Sequence, residues 1–234
     1  MHLKRIFNTP AGASPEGTAS EGRMDQSDFP DFFAAAPTIT LSDPLAAFLG
    51  VSKSGVIHYC YADVVKLAGH SCPTVAGAFL MVRRGLLALY GAELPRRGDI
   101  EVHLRDPGDQ GTTGVIATVA MLLTGAAPET GFGGIGPGAR FRRRNLLHFD
   151  APIDGLMALR RTDNGRGVIL DLDPGATPAD PAMRALFPRV LGTRPDQADL
   201  DRFGQLWQER VERMLTGHAD DPALVRVLEW RAAA

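Results

Sequence analysis

From Pro73 to Tyr90 the chain carries one long apolar run, PTVAGAFLMVRRGLLALY, and any fold it adopts has to bury that run. Val75, Phe79, Val82, Leu86 and Tyr90 recur every three or four residues, the spacing of one helix face. Leu80, Leu87 and Leu89 widen the stripe, so more than one side of the helix meets the interior. Pro73 suits a first helical turn, where its missing N–H has no partner to lose, and Gly91 suits the residue after the last turn. Such a helix is roughly 27 Å long, enough to cross a small domain. We expect it to be the core helix of an α+β fold, packed against a mostly antiparallel sheet.

His70 and Cys72 stand directly before this helix. Cys72 falls at its N-terminus, where unpaired amides and the macrodipole favour a thiolate. Two readings follow. Cys72 is a small buried hydrophobe and His70 a hydrogen-bonded loop residue, or the pair carries chemistry.

Size and composition bound the alternatives. At 234 residues, with 44% hydrophobic and 22% charged side chains, the chain can bury a sizeable core, and one main domain with an appendage fits best. A formal net charge of −2 gives no global sign of nucleic-acid or membrane binding. No apolar run has the length needed to span a bilayer, and no h-region follows Lys4 and Arg5. The expected compartment is the cytoplasm, where Cys60 and Cys72 are free thiols or ligands; a Cys60–Cys72 bridge requires an exported protein.

Residues 1–36 are rich in Gly, Ala, Ser, Pro and acidic side chains without apolar periodicity, the composition of a flexible arm. Ser42-Asp43-Pro44, followed by Leu45, Phe48, Leu49 and Gly50, is a short capped helix. Residues 55–61 form a short strand or an irregular lead-in, and Ala62 to Leu67 one to two helical turns broken by Gly69. This segment gathers His58, Tyr59, Cys60, Tyr61 and Asp63 within reach of a folded-back His70 and Cys72. Each also has a plain structural role: core aromatic for the tyrosines, first-turn carboxylate for Asp63, satisfied histidine for His58.

Ile100, Val102 and Leu104 alternate with Glu101, His103 and Arg105, predicting a half-buried strand with His103 facing solvent. Val115 to Leu123 reads as a second buried helix, although periodicity alone also permits a strand. The glycine-rich stretch 131–138 lacks the Gly-Lys-Ser/Thr ending of a phosphate loop, so its glycines serve a close backbone approach. Arg140, Arg142, Arg143 and Arg144, interleaved with Phe141, Leu146, Leu147 and Phe149, predict a strand with solvated arginines, or alternatively an anion site. Leu156–Arg161 and Gly167–Leu172 flank Asn164-Gly165, a strong hairpin signal. Beyond Pro174, helices are expected at 181–187, 198–216 and 222–230, the second amphipathic and suited to packing on a domain or a partner protomer.

Ala68-Gly69-His70-Ser71-Cys72-Pro73-Thr74, with Gly77 in the following helix, resembles the His-Gly-His-x-Cys-Pro-Gly motif of the FmdE-like family, a family named for a component of formylmethanofuran dehydrogenase. The stretch from Leu123-Thr124-Gly125 to Asn145-Leu146 resembles that family's second block more weakly. The resemblance implies an α+β core over residues 37–150, a homodimer, and a metal-associated site containing His70 and Cys72. Residues 151–234 then form a hairpin and a helical extension. The chain departs from the pattern at Ala68, where the family has His, and at Thr74, where it has Gly. It shows no counterpart of the family's later Cys and Asp around residues 110–114, and no cysteine-rich tail.

Three chemistries are compatible with these residues. Zinc or another transition metal in an open site takes about three protein ligands, of which His70 and Cys72 supply two and Cys60, His58 or Asp63 another. Haem is the alternative cofactor, with a Cys-Pro thiolate or a His as axial ligand and Tyr59, Tyr61 and Phe79 lining its pocket. A thiol-dependent enzyme would use Cys72 as nucleophile with His70 or Asp63 assisting. A small-molecule ligand is compatible with each.

Overall fold

Cys72 and Gly91 bracket α4 (Pro73–Tyr90) in the computed structural model, which describes residues 28–230. The Cys72 backbone is extended and its sulfur accepts the amide hydrogen of Val75, as an N-cap side chain does. Twelve of the eighteen helix residues are buried, from Val75 to Tyr90, so more than one face is buried as expected, although Leu87 lies 48% exposed outside that stripe.

Elements before α4 form one flank. They are α1 (Phe32–Ala35), β1 (Ile39–Ser42), α2 (Pro44–Phe48), β2 (Val56–Tyr59) and α3 (Tyr61–Ala68), with β1 and β2 paired antiparallel. After α4 come β3 (Ile100–Leu104), α5 (Thr113–Thr124), β4 (Leu147–His148), β5 (Met157–Arg161), β6 (Gly167–Leu172), α6 (Met183–Val190), α7 (Gln197–Glu212) and β7 (Val225–Trp230). The main sheet has the order β4-β3-β5-β6-β7, antiparallel except for the short β3–β4 pair. The fold is α+β, with α4 lying on β5, β6 and β7 and beside α5, and with α6 and α7 paired in a helical C-terminal part.

Much of this follows locally. Ile100, Val102 and Leu104 are fully buried while their neighbours are not, as alternation requires. Asn164 and Gly165 turn the β5–β6 hairpin, with Gly165 at φ 72° and the Asn164 side chain accepting from the Arg166 amide. The apolar run expected at Val115 to Leu123 is helix α5, stopped by Gly125 at φ 75°.

Four local expectations give way to tertiary structure. The segment expected as a helix at 222–230 is a turn followed by strand β7, because β6 offers six residues of open edge and the β-branched Val225 and Val227 pair along it. Of the arginine-rich stretch only Leu147–His148 forms a strand, and Arg140 makes an isolated bridge to Ile135, because Ala139, Phe141 and Asn145 take φ values of 45°, 63° and 58°, incompatible with extended backbone. The arm expected over residues 1–36 lies partly outside the described residues. Its described end is packed: Phe33 meets Tyr61 edge-on at 4.9 Å, and Phe32 and Phe33 join the core. Finally, His103 does not face solvent. It stacks on His148 at 4.7 Å and meets Trp230 edge-on, because β4 and β7 bring rings to its side of the sheet.

Candidate functional site

The loop from Gly69 to Cys72 joins α3 to α4. Gly69 closes α3 in the left-handed region at φ 74°, which redirects the chain toward the α4 N-terminus. His70 is exposed, and its Nδ1 donates to the Ala68 carbonyl oxygen at 2.9 Å. A carbonyl only accepts, so this bond places a proton on Nδ1, and in the neutral ring Nε2 is then the acceptor. Cys72 is 9% exposed, its sulfur engaged by the Val75 amide.

Between them Ser71 is clamped from two directions. Its carbonyl oxygen accepts from Trp207 Nε1 at 3.0 Å and Gln208 Nε2 at 3.2 Å, both on α7. Its hydroxyl donates to Gln208 Oε1 at 2.9 Å and shares a hydrogen bond with Tyr61 OH at 3.1 Å. Burial pushes the Tyr61 phenol above its usual value, with the Ser71 hydrogen bond opposing. None of Ser71, Trp207 or Gln208 carries a sequence signal for this role, because the partners lie 136 and 137 positions apart.

The remaining candidates are distributed rather than gathered. Asp63 Oδ2 accepts from the Cys60 amide at 3.0 Å and the Cys60 thiol at 3.3 Å, so this carboxylate caps α3 and faces Cys60 rather than Cys72. His58 is exposed, with Nδ1 on the Thr40 hydroxyl at 2.9 Å. Tyr61 and Phe79 are fully buried and in edge contact at 5.7 Å, while Tyr59 lies beside the Arg97 guanidinium. These three rings therefore fill the core and a charged corner and do not line one haem-sized pocket. Both cysteines are free. Among the described residues, no three His, Cys, Asp or Glu side chains converge to hold a metal ion.

Neither a family model nor a curated protein matches this chain.

A second polar centre lies beside Tyr59. Asp43, 3% exposed, caps α2 by accepting from the Leu45 and Ala46 amides. The same carboxylate accepts from Arg143 Nη2 at 2.7 Å and Arg97 Nη1 at 2.9 Å. Burial works to raise the Asp43 pKa, but the Arg97 hydrogen bond and the Arg143 charge outweigh it and hold the group below its ordinary value. Arg143 is itself 7% exposed, and burial lowers its pKa against the pull of Asp43. Gly98 makes room for it: any side chain there would collide with the guanidinium. The arginine expected to be solvated thus joins the loop at 139–145 to α2, a role invisible in a run of four similar arginines.

Proposed function

We propose that the His70–Cys72 loop is a transition-metal site, with His70 Nε2 and Cys72 sulfur as its donors and zinc as the fitting metal. The observation that carries this reading is the His70 Nδ1 bond to Ala68 O. Metal-binding histidines characteristically donate their second ring N–H to a carbonyl or carboxylate, which fixes the tautomer and aims the free nitrogen. An amide hydrogen on the cysteine sulfur is likewise compatible with a metal-bound thiolate. The similarity of residues 68–74 to the FmdE-like motif supports the same reading. Two donors do not complete a zinc shell, so we assign the remaining positions to water, a small-molecule ligand or a donor outside the described residues, including a second copy.

Titration of the tag-free, reduced full chain with cobalt tests this. The expected result is a thiolate-to-cobalt absorption band that survives Cys60→Ala and disappears in Cys72→Ala and in His70→Ala. A band absent from the wild type, or retained without His70, overturns the proposal.

One observation favours a thiol enzyme as the second reading. The Cys72 sulfur already accepts a hydrogen bond at the start of an eighteen-residue helix, where a thiolate nucleophile is stabilised. Alkylation rate against pH in metal-free protein distinguishes the two: rapid modification at Cys72 at neutral pH supports the enzyme, and an inert Cys72 removes it.

A further inference from the structure

The arginines at 140–144 differ sharply in what they touch. Arg143 is buried on the Asp43 carboxylate. Arg140 lays its guanidinium over the Phe48 and Phe141 rings. Arg142 and Arg144 are exposed, and among the described residues neither guanidinium has an ion pair, a hydrogen bond or a ring contact. Residues 131–149 include no Asp or Glu; Glu129 and Asp150 flank them, and neither pairs with these arginines.

Arg144 is nonetheless held in a defined place. The Arg143 and Arg144 amides both donate to the Phe132 carbonyl oxygen, at 2.9 and 3.1 Å, and the Asn145 amide donates to Pro128 O at 3.1 Å. The Arg144 guanidinium lies against Gly133, where any side chain would collide with its Nη2. Beside it the backbone offers donors that nothing accepts. The N–H groups of Phe132, Gly133 and Gly134 have no acceptor among the described residues, and both glycines are half-buried. Amides removed from water ordinarily find a partner, so an unpaired pair beside an unpaired guanidinium points to a ligand. The loop is also fixed in advance. The Arg143–Asp43 pair anchors it, and Ala139, Phe141 and Asn145 keep positive φ values of the kind that cluster at ligand sites.

We infer that Gly133, Gly134 and Arg144 bind the phosphoryl group of a small phosphorylated molecule, the two amides and the guanidinium donating to its oxygens. Backbone N–H groups at glycines admit an anion to close range, and an arginine fork matches phosphate oxygens with charge-assisted hydrogen bonds. The stretch 131–138 has neither the lysine nor the Ser/Thr of a nucleoside-triphosphate loop, so one phosphoryl group rather than a magnesium-bound triphosphate is the ligand that fits. The site makes no use of His70 or Cys72.

The test titrates isotope-labelled full chain with inorganic phosphate and with phenyl phosphate, chloride holding the ionic strength constant. Both are expected to give saturable shifts of the Gly133 and Gly134 amide resonances, with a Kd of about 1–10 mM. Arg144→Gln should weaken binding at least about tenfold with an unfolding midpoint near wild type, because the side chain is exposed. Arg140→Gln removes the same charge from the same loop and should change binding less than about threefold. Shifts that chloride reproduces, or equal losses in the two variants, overturn the inference by reducing it to screening or net charge. Exclusion of phenyl phosphate also overturns it. So does a single-stranded oligonucleotide that moves these amides where phosphate does not, by assigning the loop to nucleic acid.

Discussion

Trp207 Nε1 donates to the Ser71 carbonyl oxygen, tying the C-terminal helix α7 to the loop that carries His70 and Cys72. Gln208 doubles the tie, so the loop's geometry depends on a segment far from it in sequence.

Trp207→Phe keeps an aromatic ring beside Phe203 while removing this donor and part of the indole's packing. It should cost about 1 kcal/mol, read as a lower urea midpoint with an unchanged slope. If the loop binds metal, the same variant should weaken cobalt binding by about tenfold or more, as loss of an orienting contact does. Wild-type stability and affinity together would show that the clamp contributes nothing.

Asp43→Asn leaves the buried Arg143 without its carboxylate. The expected loss is about 3–5 kcal/mol at neutral pH, much of it recovered by adding Arg143→Met. The pH dependence has a definite sign. The folded-state pKa of Asp43 lies below its unfolded value, so its contribution is present above about pH 3.9 and lost as pH falls through the lower folded value. Wild type and Asp43→Asn should therefore converge in stability at strongly acidic pH. A gap that persists there assigns the loss to something other than ionisation.

His103 should titrate below the ordinary histidine value of about 6.5 in a ring-proton NMR titration. Burial is the main cause, His148 adds to it, and the hydrogen bond to Glu101 opposes it. His148→Ala should move the midpoint upward. Because the neutral ring is favoured in the fold, the associated stability is present above about pH 6.5 and lost as pH falls through the lower folded value. An unchanged midpoint in His148→Ala would remove the ring pair as a contributor.

Gly98→Ala and Gly50→Ala separate backbone strain from collision. Both glycines have positive φ, 93° and 73°, but Gly50 has open space where a Cβ would stand and Gly98 has the Arg143 guanidinium. Gly50→Ala should cost about 1 kcal/mol and Gly98→Ala about 2–4 kcal/mol in chemical denaturation. Equal costs would mean that Arg143 moves aside freely.

Much of the fold was legible in the chain alone. The Pro73–Tyr90 helix, the Ile100–Leu104 strand and the Asn164-Gly165 hairpin each rest on short-range rules, and each stands within a residue or so of its expected position. The site was less legible. The sequence placed His58, Cys60, Asp63, His70 and Cys72 close in the chain, yet hydrogen bonds direct Asp63 to Cys60 and His58 to Thr40. Proximity in sequence does not set which atom a side chain faces.

Periodicity, capping and turn chemistry act over a few residues, and on their own they determined the core helix, the hairpin and the position of Cys72 at a helix start. Three other features were decided only by the tertiary structure: β7 as a strand rather than a helix, Arg143 inside rather than in water, and Ser71 under Trp207. In each, the deciding partner is a distant backbone edge, carboxylate or indole N–H. A buried polar group has to find such a partner wherever the folded chain presents one.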